Sequence, residues 1–367
     1  MNVSQIISFY GYPVEVHNVT TPDGYVLSMQ RIPGSSRIVS RPDTVAQSSS
    51  SSPSDRPVVF LQHGLMASSG SWIPNLPGQS LAYILADQGF DVWLGNVRGN
   101  SYANRNINLD PSDRSFWNFT WQEMADFDMP TMIGYVLNTT HQPNLYYIGH
   151  SQGTLVMFAS LATNPKMAKM VKVFFAFAPI STLGDITSKV KLLVPFRSMI
   201  QDALNTVGDY SSPDLTWILD YIKPACELGP QWLDICEHIL FSVLGPESKL
   251  RINETRIPLF IRHFPEGTSV KNIVHYLQLI DSGRMQMYDY GPVGNWMKYH
   301  SFVPPVYDLS RVQTYTVLYS SPLDQLSDPV DVAKLMKTLP NFRTHRINGY
   351  SHCDFAWALD AYEMVYK

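Results

Sequence analysis

Six short runs rich in β-branched and aromatic residues recur along the chain: PVVFLQ at 57–62, DVWLGN at 91–96, NLYYIG at 144–149, KVFFAFAP at 172–179, TYTVLYS at 314–320 and FRTHRI at 342–347. Runs apolar on both faces call for a mostly parallel sheet covered by helices. The stretches between them agree, because SLAYILADQGF (80–90) and FTWQEMADFDMPTMIGYVLN (119–138) carry apolar residues at helical spacing, the second with Pro130 as a kink. The expected class is α/β, a central sheet flanked by helices.

The ends and interruptions of this pattern set the domain organisation. Residues 14–32 read as an antiparallel pair turning at Asp23-Gly24, a favoured two-residue hairpin dipeptide. Residues 33–57, with Gly34, Pro42 and five consecutive serines from Ser48 to Ser52, supply no core and read as a flexible surface loop. Residues 182–305 break the alternation with helix-rich sequence full of Trp, Tyr, Met and Leu, and read as an insertion over one end of the sheet. The expected division is a core with an N-terminal hairpin over 1–181, a helical cap or lid over 182–305, and the rest of the core over 306–367.

Composition narrows the function classes. A chain of 367 residues that is 45% hydrophobic and 16% charged can bury a large core. The net charge of -4, with no Lys/Arg-rich block, gives no reason to expect a nucleic-acid partner. No run reaches the length of a membrane span, and MNVSQIISFYGYP lacks the basic start and apolar stretch of a signal peptide. Cys226, Cys236 and Cys353 leave room for one bridge plus one buried thiol, and none is paired at Cys-x-x-Cys spacing; no metal or cofactor is expected. Asn-x-Ser/Thr triplets at Asn2, Asn18, Asn118, Asn138 and Asn253 are compatible with a secretory route and N-glycosylation.

The third run leads directly into Gly-His-Ser-Gln-Gly at 149–153. In a doubly wound sheet, ligands bind beyond the carboxyl ends of the strands, where this pentapeptide falls. Gly149 and Gly153 make room for a sharp strand-to-helix turn that lifts the Ser151 hydroxyl into the open. The backbone N–H of Gln152, at the helix start, would face the same space and stabilise a developing oxyanion.

A serine hydroxyl needs a base, and the base needs a carboxylate, in the chain order Ser, Asp or Glu, His. Asp324 follows TYTVLYS, and His352 follows the last run, so both fall at the strand end that carries Ser151. Asp328 and Asp331 compete for the acid role but read better as a helix start, and Asp354 as a cap of the final helix. His63 and His150 flank the expected oxyanion site, while His238, His263, His275 and His300 lie in the insertion, contexts in which histidine is more often packed or exposed than catalytic. The second oxyanion donor is expected from QHGLMASSGSW at 62–72: Leu65 through its backbone N–H, with Met66 as the alternative.

These residues sit within patterns that run nearly the whole chain: GYPVEVHNVTTPDGYVLSMQRIP, PVVFLQHGLMASSGSWI, LAYILADQGFDVWLGNVRGNSYA, FWNFTWQEMADFDMP, YYIGHSQGT, FPEGTSVKNIVHYLQ and the closing D-x-L-x-D-P-x-D-V and H-x-D-F-x-W. In this respect the chain resembles the acid lipase family of gastric and lysosomal lipases, within the α/β-hydrolase fold. The resemblance implies a serine lipase of neutral lipid esters, triacylglycerols or cholesteryl esters, with Ser151, Asp324 and His352 as triad and Leu65 and Gln152 as oxyanion amides. It implies a monomeric, secreted or lysosomal enzyme working at a lipid-water interface. A cap over 182–305 would cover the site until lipid is met. The apolar stretches within it, Trp217 and Leu240 among them, are expected to face the acyl chains or the interface, with packing as helix core the alternative. It also implies a Cys226–Cys236 disulfide, with Leu244 where the family usually has a third cap cysteine. The absent secretion signal and short last helix suggest a processed or incomplete product. The alternatives are an esterase of smaller soluble esters and a lipid-binding protein of the same fold without turnover.

Overall fold

The computed structural model describes residues 1–35, 56–199, 229, 232, 245 and 251–367. Among these residues, nine strands form one sheet: β1 (Glu15–Thr20), β2 (Tyr25–Ile32), β3 (Val58–Gln62), β4 (Asp91–Gly95), β5 (Arg105–Asn106), β6 (Leu145–His150), β7 (Val171–Phe177), β8 (Thr316–Ser320) and β9 (Phe342–Arg346). The order is β1-β2-β4-β3-β6-β7-β8-β9, with β5 paired to β2. From β4 to β9 every pairing is parallel, while β1, β2 and β5 make the antiparallel margin. All six apolar runs are therefore strands of the parallel part.

Both faces are covered. Every residue of β3 and of β4 is buried. Side chains one apart point to opposite faces, and the packing separates accordingly: Val58, Phe60 and Trp93 join one core, Val59, Leu61, Val92 and Leu94 the other. Helices Met129–Thr140 and Gln152–Thr163 cover the first face. Helices Val3–Phe9 and Leu81–Asp87, with buried residues between Tyr350 and Val365, cover the second.

Two local readings are refined by the structure. The hairpin turn is longer than two residues, because the Thr21 N–H donates to the Tyr25 carbonyl at 2.8 Å and the Tyr25 N–H donates to Thr21 Oγ1 at 2.9 Å. A side-chain oxygen thus replaces one rung of the ladder, and Pro22, Asp23 and Gly24 form the loop, with Gly24 at φ 93°. The Pro130 irregularity takes the form of a π-helical turn, Met124–Asp128, ahead of the helix that Pro130 opens. The Met129 N–H reaches back five residues to Met124, and Pro130 has no N–H of its own to place. Asp128, in that turn, is buried against Arg98, whose guanidinium and backbone N–H all donate to it and which also binds Asp23 of the hairpin loop.

Between β7 and β8 the described residues include a 3-10 segment Lys189–Phe196 and helices Ile257–His263, Val270–Ser282 and Gly291–Tyr299. Leu192, Phe196 and Met199 are exposed. Residues 36–55 of the serine-rich loop, and Cys226, Cys236, Trp217, Leu240, Leu244 and His238, lie outside the described residues. Cys353 is a buried free thiol. Among the described residues no helix is long and apolar enough to cross a membrane.

Candidate active site

Parallel strands in register place their following loops along one edge, and β3, β6, β8 and β9 deliver Leu65, Ser151, Asp324 and His352 there. Ser151 joins β6 to the helix Gln152–Thr163 with φ 53° and ψ -118°, a conformation rare for a residue with a side chain. Its N–H donates to the Phe177 carbonyl of β7 at 3.1 Å, and its carbonyl accepts from the Thr154 N–H at 2.8 Å. The flanking glycines make that turn feasible. A Cβ at Gly153 would lie 2.4 Å from the Gln62 carbonyl oxygen, and one at Gly149 would lie 2.7 Å from Gly153 backbone atoms.

His352 Nε2 lies 2.8 Å from Ser151 Oγ, and His352 Nδ1 lies 3.0 Å from each Asp324 carboxylate oxygen. Asp324 also accepts the N–H groups of Leu326 and Ser327 at 2.9 and 2.8 Å. Burial alone would raise its pKa; the His352 charge and hydrogen bond together with the two amides outweigh that and hold the carboxyl below its usual value. An ionised Asp324 draws the His352 proton to Nδ1, leaving the Nε2 lone pair to accept from the serine hydroxyl.

The competing acids are occupied elsewhere. Asp328 caps the helix Pro329–Thr338 through the Val330 N–H at 2.8 Å. Asp331 accepts from Thr182 Oγ1 and the Asp185 N–H, and Asp354 from the Ser351 N–H and hydroxyl.

Two further histidines support the site as neutral rings. His63 Nδ1 lies 2.8 Å from the Gly64 carbonyl and must donate to it, so its Nε2 accepts from the Val97 N–H and Asn100 Nδ2 at 3.3 and 3.2 Å. Burial lowers its pKa to about 4. His150 Nε2 donates to the His352 carbonyl at 2.8 Å, and burial, with the nearby His352, lowers its pKa to about 3. The loop that follows β3 is thereby anchored. Gly64 approaches so closely that a Cβ there would meet the Ser151 Cβ at 3.1 Å. Beyond Leu65 the chain turns at Met66, φ 53°, whose carbonyl accepts the Glu266 N–H at 2.7 Å.

Ser151 and His352 open on a cavity of about 330 Å³ with a predominantly apolar lining. It is lined by Ile180, Leu183 and Ile186 and by the helix Val270–Ser282 through Ile273, Tyr276, Leu277 and Ile280. Leu65 and Met66 line it together with Ser151. Sequence reasoning missed Asn272 and Tyr276, which bind the Gln152 side chain at 3.0 and 3.2 Å. They lie 120 and 124 residues away from it, and no local pattern marks them.

A parallel sheet wound on both faces, with a strained serine at a strand-to-helix turn, is the architecture of an α/β-hydrolase. Family models agree, matching an alpha/beta hydrolase fold over residues 57–184 and a partial alpha/beta-hydrolase lipase region over residues 3–76. The fold is also that of a thermophilic esterase from Thermogutta terrifontis, at 15% identity and TM-score 0.50 over 94% of this chain and 93% of that one. The chain is 40% identical to gastric triacylglycerol lipase of Bos taurus over 100% of its length and 89% of that protein. It is 37% identical to human lipase member K over 100% of its length and 89% of the relative. The chain belongs to the acid lipase family.

Proposed function

We propose that this chain is a serine lipase hydrolysing esters of neutral lipids, triacylglycerols or cholesteryl esters, through an acyl-enzyme at Ser151. The observation that carries this reading is the unbroken Asp324–His352–Ser151 hydrogen-bond relay opening on an apolar cavity.

Ser151 Oγ attacks the ester carbonyl carbon while its proton passes to His352 Nε2, and Asp324 holds the ring and stabilises the imidazolium. The carbonyl oxygen becomes an oxyanion that accepts from the Leu65 and Gln152 backbone N–H groups. Collapse breaks the bond to the leaving alcohol oxygen, which takes the proton from Nε2. Water then enters, gives a proton to His352 and attacks the acyl-enzyme, and His352 returns that proton to Ser151 as the fatty acid leaves.

In this reading residues 182–305 form a helical cap between core segments 1–181 and 306–367. Its described parts supply Ile186, Val190, Leu193 and the helix Val270–Ser282 to the cavity, and the exposed Leu192, Phe196 and Met199 suit contact with a lipid-water interface. The enzyme acts as a monomer in a secreted or lysosomal setting, with Cys226 and Cys236 bridged and glycans on some of the five sequons. Asn118 and Asn138 are exposed and suit this. Hydrolysis of a long-chain triacylglycerol emulsion, measured beside a soluble short-chain ester, tests the reading. A rate that climbs once the substrate exceeds its solubility supports a lipase, and a rate indifferent to the interface favours an esterase.

A further inference from the structure

The side chain of Gln152 is buried although only its backbone N–H has been given a task. Its Oε1 accepts from Asn272 Nδ2 at 3.0 Å and from the Tyr276 hydroxyl at 3.2 Å, and its Nε2 faces Met124 Sδ at 3.6 Å. The orientation of both amides follows from one unambiguous donor. The Trp121 backbone N–H donates to Asn272 at 2.7 Å, so the atom facing it must be the Asn272 oxygen. The Asn272 NH2 group then faces Gln152, and the Gln152 atom facing back must be its oxygen. Asn272 is itself fully buried, receives a second NH2 acceptor in Thr268 Oγ1 at 3.1 Å, and sits one turn into a helix capped by Ser269.

Tyr276 belongs to two environments at once. It lines the cavity beside Ser151, while its hydroxyl reaches the side chain of the residue immediately after Ser151. Buried amide networks that are completely satisfied hold their members in one geometry, and loss of a partner leaves a polar group unpaired in a low-dielectric surrounding. A donor aimed at an oxyanion is effective only when held in place before charge develops.

We propose, on the basis of the serine-lipase reading above, that Asn272 and Tyr276 are positioning residues for catalysis: through the Gln152 side chain they hold the Gln152 backbone N–H toward the ester oxyanion, and Tyr276 ties the wall of the substrate cavity to that donor. The insertion therefore contributes to turnover itself and not only to substrate access. Neither side chain touches the reacting atoms; both act through residue 152.

The test is steady-state hydrolysis of p-nitrophenyl butyrate by the full chain carrying Gln152→Met, Tyr276→Phe or both together, with thermal midpoints as a control for folding. Gln152→Met keeps the backbone N–H and the side-chain length but removes the acceptor, so kcat falls about 10- to 100-fold while KM stays within about twofold. Tyr276→Phe keeps the ring in the cavity wall and lowers kcat by roughly three- to tenfold, and adding it to Gln152→Met costs nothing more. Full kcat in Gln152→Met, or in Tyr276→Phe should the former not fold, overturns the proposal. So do losses that multiply in the double variant or appear in KM, which would make Tyr276 a cavity wall only. If a phosphonate fails to label Ser151 in the wild-type chain, the serine-lipase reading fails and takes the proposal with it; labelling with kcat unchanged in the variants sinks the proposal alone.

Discussion

His150 Nε2 donates to the backbone carbonyl of His352 at 2.8 Å, so the residue before the proposed nucleophile secures the loop that carries the proposed base. The bond requires a proton on Nε2. Burial opposes a second proton on the ring.

A dependence of stability on pH follows. His63, His150 and His275 are buried, and burial lowers their pKa values from 6.5 to about 4, 3 and 3. The unfolded chain takes up protons on these rings below pH 6.5 while the folded chain does not, so their contribution is complete above that value and is lost as pH falls toward 4 and then 3. Thermal midpoints measured from pH 7 to pH 3.5 should decline, and His275→Phe, which keeps a ring against Trp121, should flatten the decline. An unchanged pH slope in that variant would show that His275 does not contribute.

The turn at Ser151 depends on residue 153 lacking a side chain. Alanine favours a helix over glycine by about 1 kcal/mol, but a Cβ 2.4 Å from the Gln62 carbonyl oxygen must displace β3 or the helix. The clash is the larger effect. Gly153→Ala should lose roughly 1–3 kcal/mol of stability and about 100-fold or more in ester hydrolysis, because the loop after β3 moves with its strand. A stable, active Gly153→Ala protein would mean that the backbone there gives way easily.

The two nearby acids should separate cleanly. Asp324→Asn should lower kcat by about four orders of magnitude with the fold intact, since the neutral amide no longer selects the Nδ1–H tautomer of His352. Asp328→Ala should lose only a helix cap, about 1 kcal/mol of stability, with activity near wild type. The reverse pattern in an ester-hydrolysis assay would move the acid role to Asp328.

Much of this was legible in the sequence because each signal is local. Val58–Gln62 and Asp91–Gly95 are apolar enough to be buried on both faces, and strands of that kind sit inside a parallel sheet. Once the strands are parallel, loops that follow them share an edge, so Leu65, Ser151, Asp324 and His352 could be gathered from order alone. What was not legible rests on side chains that stand in for backbone or on long-range pairing. Thr21 Oγ1 takes a rung of the hairpin ladder and lengthens the turn, and the turn dipeptide does not announce this. His63 reads as a bystander until its ring bridges Gly64 and Val97. Asn272 shows only as a polar residue in a helix, and its value to Gln152 exists only after folding brings them together.

Whether Ser151 is the nucleophile is decided by covalent labelling with an active-site-directed alkyl phosphonate, mapped by peptide mass spectrometry and paired with Ser151→Ala. One phosphonyl group should form, on Ser151, in step with the loss of ester hydrolysis, and Ser151→Ala should show neither labelling nor significant turnover. Label on another residue, or near-wild-type hydrolysis by Ser151→Ala, would contradict that role.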